Sequence, residues 1–228
     1  MKLGIVCCVH GNEQYGLEVV KQLPFPFFIG NKLAVEKNIR FIDCDLNRCF
    51  SGKADGNHEE KIAYYLTNLL KDFDYVIDLH SSSNACPMFG IITKPNTEKM
   101  ELAKKLGLKK IMIMPEFFAS GKALIDFVKC GISIEVGSHE RKENARDAVD
   151  LINNFVNGKN YSNKIEIFEV FSAVPKEAEK ILIENFQDVK KGQIIATGNK
   201  EQIAEFDFTA VLVGEESYKG ILCLACKK

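Results

Sequence analysis

Four short clusters in this 228-residue chain hold residue types that do chemistry together. The first is His10-Gly11-Asn12-Glu13, a histidine and a carboxylate three apart on a turn behind the apolar run Leu3 to Val9. The second is Asp78-Leu79-His80-Ser81-Ser82, at the end of the apolar run Tyr75 to Leu79. His10, Glu13 and a distant His80 make a set of two histidines and one glutamate, the ligand type of catalytic zinc with one position left open. Asp78, two residues before His80 and on the same side of a strand, suits a carboxylate that orients a ligand histidine, without the spacing saying which one. Each cluster also has a plainer structural reading. The first suits a turn histidine and a first-turn glutamate favoured by the helix dipole; the second suits a strand-end histidine satisfied by its serines.

The third cluster runs from Arg40 to Arg48 (RFIDCDLNR). Guanidinium groups pair carboxylates bidentately, so Arg40, Arg48 and Asn47 suit an anionic ligand, and Asp45 suits holding an arginine or the loop in place. A salt-bridged surface turn is the alternative. The fourth is Glu135, at the end of the apolar run GISI. Burying a glutamate there is costly unless it has a task or a partner. Partial burial raises its pKa towards the range useful to a general base. A structural salt bridge is the competing reading.

These residues need elements to position them. Leu3 to Val9, Tyr75 to Leu79, Phe89 to Thr93, Lys110 to Met114 and Gly131 to Val136 read as buried strands. Glu13 to Leu23, Glu59 to Phe73, Thr97 to Leu106 and Glu143 to Val156 carry apolar residues at helical spacing. Phe27 to Asn38 and Ile39 to Cys44 read as extended pieces around a turn. Strands alternating with helices predict an α/β fold, a mixed sheet covered by helices on both faces. Ligands of such sheets bind beyond the carboxyl ends of strands, where His10, His80 and Glu135 all fall.

After Gly158 the pattern changes to strict alternation in Lys164 to Val170, then short β-like runs at Gln193 to Ala196, Glu205 to Val213 and Gly220 to Cys226. The expected division is a catalytic domain over 1–157 and a small β-rich C-terminal domain over 158–228, with Asn157 to Asn160 as linker.

Bulk properties narrow the partners. The chain is 46% hydrophobic, and its 31 acidic and 30 basic residues nearly cancel, which argues against nucleic acid as a partner. No apolar stretch approaches the ~20 residues of a membrane span, and LGIVCCV is too short for a secretion signal. A reduced cytoplasm is the expected setting for the eight cysteines, several of them inside apolar runs. Cys223-x-x-Cys226 has no second pair or nearby histidine, so it does not read as a zinc ribbon. Nothing in the sequence fixes the oligomeric state.

In this order, H-G-N-E-x-x-G, R-F-I-D-C-D-L-N-R, D-L-H-S-S and I-E-V-G resemble the aspartoacylase and succinylglutamate desuccinylase family, and more distantly the zinc carboxypeptidases. Asn31 to Arg48 looks like one continuous aspartoacylase segment, and Val213-Gly-Glu-Glu-Ser-Tyr218 resembles that family's V-N-E-x-x-Y. The resemblance implies one zinc per chain on His10, Glu13 and His80, with Glu135 as general base and acid. It implies Arg40 as the group stabilising the oxyanion, Asn47, Arg48 and Tyr218 as substrate binders, and Asp45 as support for the loop. Lys122 joins the binders because Phe118-Ala-Ser-Gly-Lys122 stands where the family has Tyr-x-x-x-Arg; the family's C-terminal lysine falls on Ile221, beside Lys219. The implied reaction is hydrolysis of an acidic N-acyl amino acid, N-acetylaspartate first. A desuccinylase or small carboxypeptidase is the alternative within the class, and a zinc-binding scaffold without activity the alternative outside it.

Overall fold

The computed structural model describes residues 1–119, 121–159, 161 and 164–228. Its first half alternates β1 (Leu3–Cys7), α1 (Tyr15–Val20), β2 (Phe27–Ile29), α2 (Lys32–Lys37), α3 (His58–Leu70) and β3 (Tyr75–Ser82). Then come β4 (Phe89–Ile92), α4 (Thr97–Lys105), β5 (Lys110–Ile113), α5 (Glu116–Ala119), β6 (Gly131–Ser138) and α6 (Asn144–Val156). The remainder is β7 (Glu166–Pro175), β8 (Lys180–Ile181), β9 (Asp188–Val189), β10 (Ile194–Thr197), β11 (Gln202–Ile203), β12 (Phe208–Val211) and β13 (Ile221–Lys227). Single 3₁₀ turns lie at Leu46–Arg48 and Leu124–Asp126.

Among the described residues, ten strands form one mixed sheet in the order β2-β1-β3-β6-β4-β5-β7-β13-β12-β9. β1, β3 and β6 lie side by side and parallel, which brings the ends carrying His10, His80 and Glu135 together. Alternation then sorts the faces. Ile77, Leu79, Ile132 and Ile134 pack into a core with Val19 of α1, Leu102 of α4 and Ile152 of α6. Val6 and Val76 face the other way, against Ala63, Leu66 and Leu70 of α3. Asp78 and His80 share that second face with their register partners Ser133 and Glu135. The sheet is thus covered by helices on both sides.

One expectation is overturned. Residues 27–44 are not extended throughout: β2 is three residues long and α2 follows it. Lys32 to Lys37 is built from good helix formers. The Asn31 side chain caps the first turn by accepting from Ala34 N, and Asn38, in the left-handed region, ends the helix. The aromatic and β-branched run before it hides this six-residue helix in the sequence. α2 matters to the site, because a Cβ on Gly11 would lie 2.2 Å from the Ala34 carbonyl carbon. Glycine there lets the His10–Glu13 turn rest against the helix backbone. α1 is also shorter than expected, so Glu13 precedes it rather than sitting in its first turn.

In the C-terminal part, β7, β13, β12 and β9 continue the main sheet from β5, while β8, β10 and β11 make a second, antiparallel sheet. Asn160, the last residue of the expected linker, lies outside the described residues, as does Ser120 in the Phe118 to Lys122 stretch. No helix among the described residues is long and apolar enough to cross a membrane.

Candidate active site

Glu13 is the centre of the site. Its Oε1 lies 2.7 Å from His10 Nδ1 and its Oε2 lies 2.9 Å from His80 Nδ1. All three residues are buried, and their ligand atoms fall within 4.8 Å of one another. The far side of each imidazole is also taken: His80 Nε2 is 2.7 Å from Asp78 Oδ2, and His10 Nε2 is 3.1 Å from Asp45 Oδ1. An aspartate on Nε2 keeps the proton there and leaves the Nδ1 lone pair facing inwards, as for a metal-ligating histidine. Burial opposes charge on Glu13, but the two histidines hold its carboxyl well below the usual range. Burial likewise works against charge on His80, and Asp78 and Glu13 outweigh it, raising its pKa. Two inward nitrogens and a carboxylate oxygen among anionic second partners fit a divalent cation of the zinc type.

A loop from Arg40 to Arg48 closes one side. Glu59, fully buried at the start of α3, accepts from the backbone N–H groups of Ile42, Asp43 and Cys44 at 2.7, 3.0 and 3.3 Å. Asn31 Nδ2 also donates to it at 2.7 Å. So anchored, the loop places Asp45 where one carboxylate oxygen meets His10 and the other accepts from Arg40 Nη2 at 3.0 Å. Arg40 Nη1 lies 3.7 Å from Glu13 Oε1. Asn47 Oδ1 accepts from Leu124 N at 2.9 Å, and Arg48 Nη1 donates to Asn47 O at 2.8 Å.

Glu135 faces the cluster from β6. Its Oε2 is buried with no hydrogen-bond partner among the described residues. Burial, reinforced by Glu13 and Glu215 against the pull of His80 and Arg40, pushes its pKa up to about 8. Tyr218 closes the cavity from the C-terminal part, and burial raises its phenol. Its loop is tied to the catalytic part through Glu215, which accepts from Ser83 N at 2.9 Å and Ser83 Oγ at 2.6 Å.

His10, Glu13, Arg40, Asn47, Arg48, His80, Glu135 and Tyr218 therefore line one cavity. Lys122 does not join them. It is exposed, and its backbone carbonyl accepts from Phe50 N at 3.3 Å. The structure also supplies partners that spacing does not reveal: Asp78 serves His80, and Asp45, 35 residues along the chain, serves His10. Glu215 stands at the glutamate of the segment that resembles V-N-E-x-x-Y, but its tie to Ser83 carries no sequence signal, and neither does the role of Glu59.

Residues 25–156 match the succinylglutamate desuccinylase/aspartoacylase catalytic domain. The chain belongs to that family. The match takes in Arg40, His80 and Glu135 and begins after His10 and Glu13. A probable aspartoacylase of Prochlorococcus marinus (strain AS9601) is 30% identical over 161 residues, covering 59% of this chain and 53% of that protein. This family member thus spans about half the length of the curated relatives it matches. In fold it is similar to murine aminoacylase 3, with a TM-score of 0.83 at 18% identity, covering 100% of this chain and 95% of that one. It is also similar to succinylglutamate desuccinylase/aspartoacylase from Rhodobacter sphaeroides, with a TM-score of 0.76 at 14% identity, covering 100% and 85%.

Proposed function

We propose that this family member is a zinc-dependent amidohydrolase that cleaves an acidic N-acyl amino acid, N-acetylaspartate foremost, to a carboxylate and a free amino acid. One observation carries the reading: two histidine Nδ1 atoms converge on the buried Glu13 carboxylate beside Glu135, whose Oε2 has no partner among the described residues. Zinc bound there supplies Lewis-acid polarisation of a carbonyl and of water. Glu135 receives the water proton at Oε2 and returns it to the leaving amine; a pKa near neutrality suits both transfers. Arg40, aligned by Asp45, donates to the oxygen on which negative charge develops, a contribution of the kind worth ~10²–10³ in rate. Arg48 and Asn47, with Tyr218 opposite, bind the substrate carboxylate.

We further propose the division at residue 157 as a functional one. Residues 1–157 hold the metal ligands and both catalytic groups, and residues 158–228 contribute Tyr218 and a core of their own. A cytoplasmic setting belongs to the same proposal.

The test is a panel of N-acyl amino acids given to zinc-loaded protein. A site that pairs a carboxylate rejects uncharged analogues strongly, because its own buried charges are then left unpaired. N-acetylaspartate or N-acetylglutamate is expected to be cleaved far better than N-acetylleucine, with Arg48→Ala raising KM and narrowing that gap. Preference for the neutral substrates would overturn the acidic-substrate reading.

A further inference from the structure

The loop that carries Asp45, Asn47 and Arg48 is bracketed by two thiols that the proposed reaction does not use. Cys44 Sγ and Cys49 Sγ lie 2.9 Å apart. Cys44 Sγ also faces the Asn57 amide, 3.4 Å from Nδ2, and Cys49 Sγ donates to the Asp45 backbone carbonyl at 3.1 Å. Both cysteines are half-buried, whereas Cys7, Cys8, Cys130, Cys223 and Cys226 are buried. The pair is thus reachable from solvent, close enough to join with little movement, and in direct contact with the backbone of the residue that aligns His10 and Arg40.

We infer that Cys44 and Cys49 are a redox modification site, a dithiol that a small-molecule disulfide converts reversibly into a bridge across the Asp45 loop. Cys44 Sγ faces the exposed Asn57 side chain, whereas Cys49 Sγ is engaged by the Asp45 carbonyl, so Cys44 opens the exchange. Its sulfur, after losing its proton, attacks one sulfur of the small disulfide, breaking that S–S bond and releasing one thiol. The Cys49 sulfur then attacks Cys44 in the mixed disulfide, forming the internal bond and releasing the second thiol. Two protein thiols are oxidised, one disulfide is reduced to two thiols, and both protons leave with them. Closure removes the Cys49 hydrogen bond from the Asp45 carbonyl and shifts the carboxylate that holds His10 Nε2 and Arg40. The bond itself does not depend on the hydrolase reading; its effect on turnover rests on that reading.

The experiment incubates the reduced, zinc-loaded full chain with glutathione disulfide and digests it with trypsin without reduction. Cleavage after Arg40, Arg48 and Lys53 places Cys44 in FIDCDLNR and Cys49 in CFSGK, so these peptides stay joined only if the bridge has formed. The expected result is a joined pair that dithiothreitol separates. Turnover falls roughly tenfold or more, as when the partner of a ligand histidine is lost, and recovers on reduction. Cys49→Ser shows neither change. Separate peptides with Cys44 unmodified, or a glutathione adduct on Cys44 that never closes, would overturn the inference. A joined pair with unchanged turnover would overturn its control of the site. A joined pair in protein that cleaves no N-acyl amino acid when reduced supports the thiol site and counts against the hydrolase reading instead.

Discussion

The two histidines of the site are held by aspartates in different settings. Asp78 is fully buried on β3, two residues from His80, and its Oδ2 also accepts from Ser133 Oγ on the neighbouring strand at 3.1 Å. Asp45 sits on a loop with 21% of its side chain exposed, and it divides one carboxylate between His10, Arg40 and the Asn47 N–H. The strand-mounted half is positioned by sheet register. The loop-mounted half is set by a backbone anchor, Glu59, and by a hydrogen bond between distant parts of the chain. In the proposed reaction the first half would hold the metal, and the second would couple it to oxyanion and substrate recognition.

The largest effect is expected at Glu135, opposite His80 in the strand-mounted half. Glu135→Gln should keep zinc and lose about 10²–10⁴ in kcat, measured on N-acetylaspartate. The same change should alter the pH dependence of stability in the metal-free protein. The native carboxyl binds its proton more tightly than the unfolded one, so its stabilising contribution is complete below about 4.5 and is lost as pH rises through about 8. Urea unfolding at pH 5 and pH 9 should therefore show Glu135→Gln gaining on the parent as pH rises.

Next come the two aspartates. Asp78→Ala should weaken zinc binding by about 10–100-fold. It should also destabilise the protein by about 1–3 kcal/mol, because a buried imidazole loses its partner. Asp45→Ala should cost less in zinc affinity, since water can reach the vacated position, and proportionately more in kcat, since Arg40 is released as well. Equal losses of affinity in the two variants would erase the distinction between strand and loop. The smallest effect is expected at Lys122, exposed and outside the cavity: Lys122→Ala should leave turnover unchanged and move stability by no more than about 0.5 kcal/mol.

The same contrast explains what the sequence made legible. Period-two alternation puts Asp78 on one face with His80, and Ser133 on one face with Glu135, so the shared faces of the strand half could be read from spacing, though not which histidine Asp78 serves. The loop half could not. α2 is six residues long and follows an aromatic run, and its position decides why Gly11 must be glycine. Glu59 reads as an ordinary first-turn acid of α3, and only the folded chain shows three backbone donors converging on it. Lys122 reads as a binder by its resemblance to a family motif, and the folded chain leaves it exposed and outside the cavity.

The proposal that His10, Glu13 and His80 hold one zinc is tested by the metal content of the purified full chain, by elemental analysis after dialysis. About one zinc per chain is expected, lost in His80→Ala and in Glu13→Ala and retained in Cys223→Ser. Far-ultraviolet circular dichroism would establish that the variants remain folded. Zinc retained at the parent level by folded His80→Ala would contradict the assignment of the site.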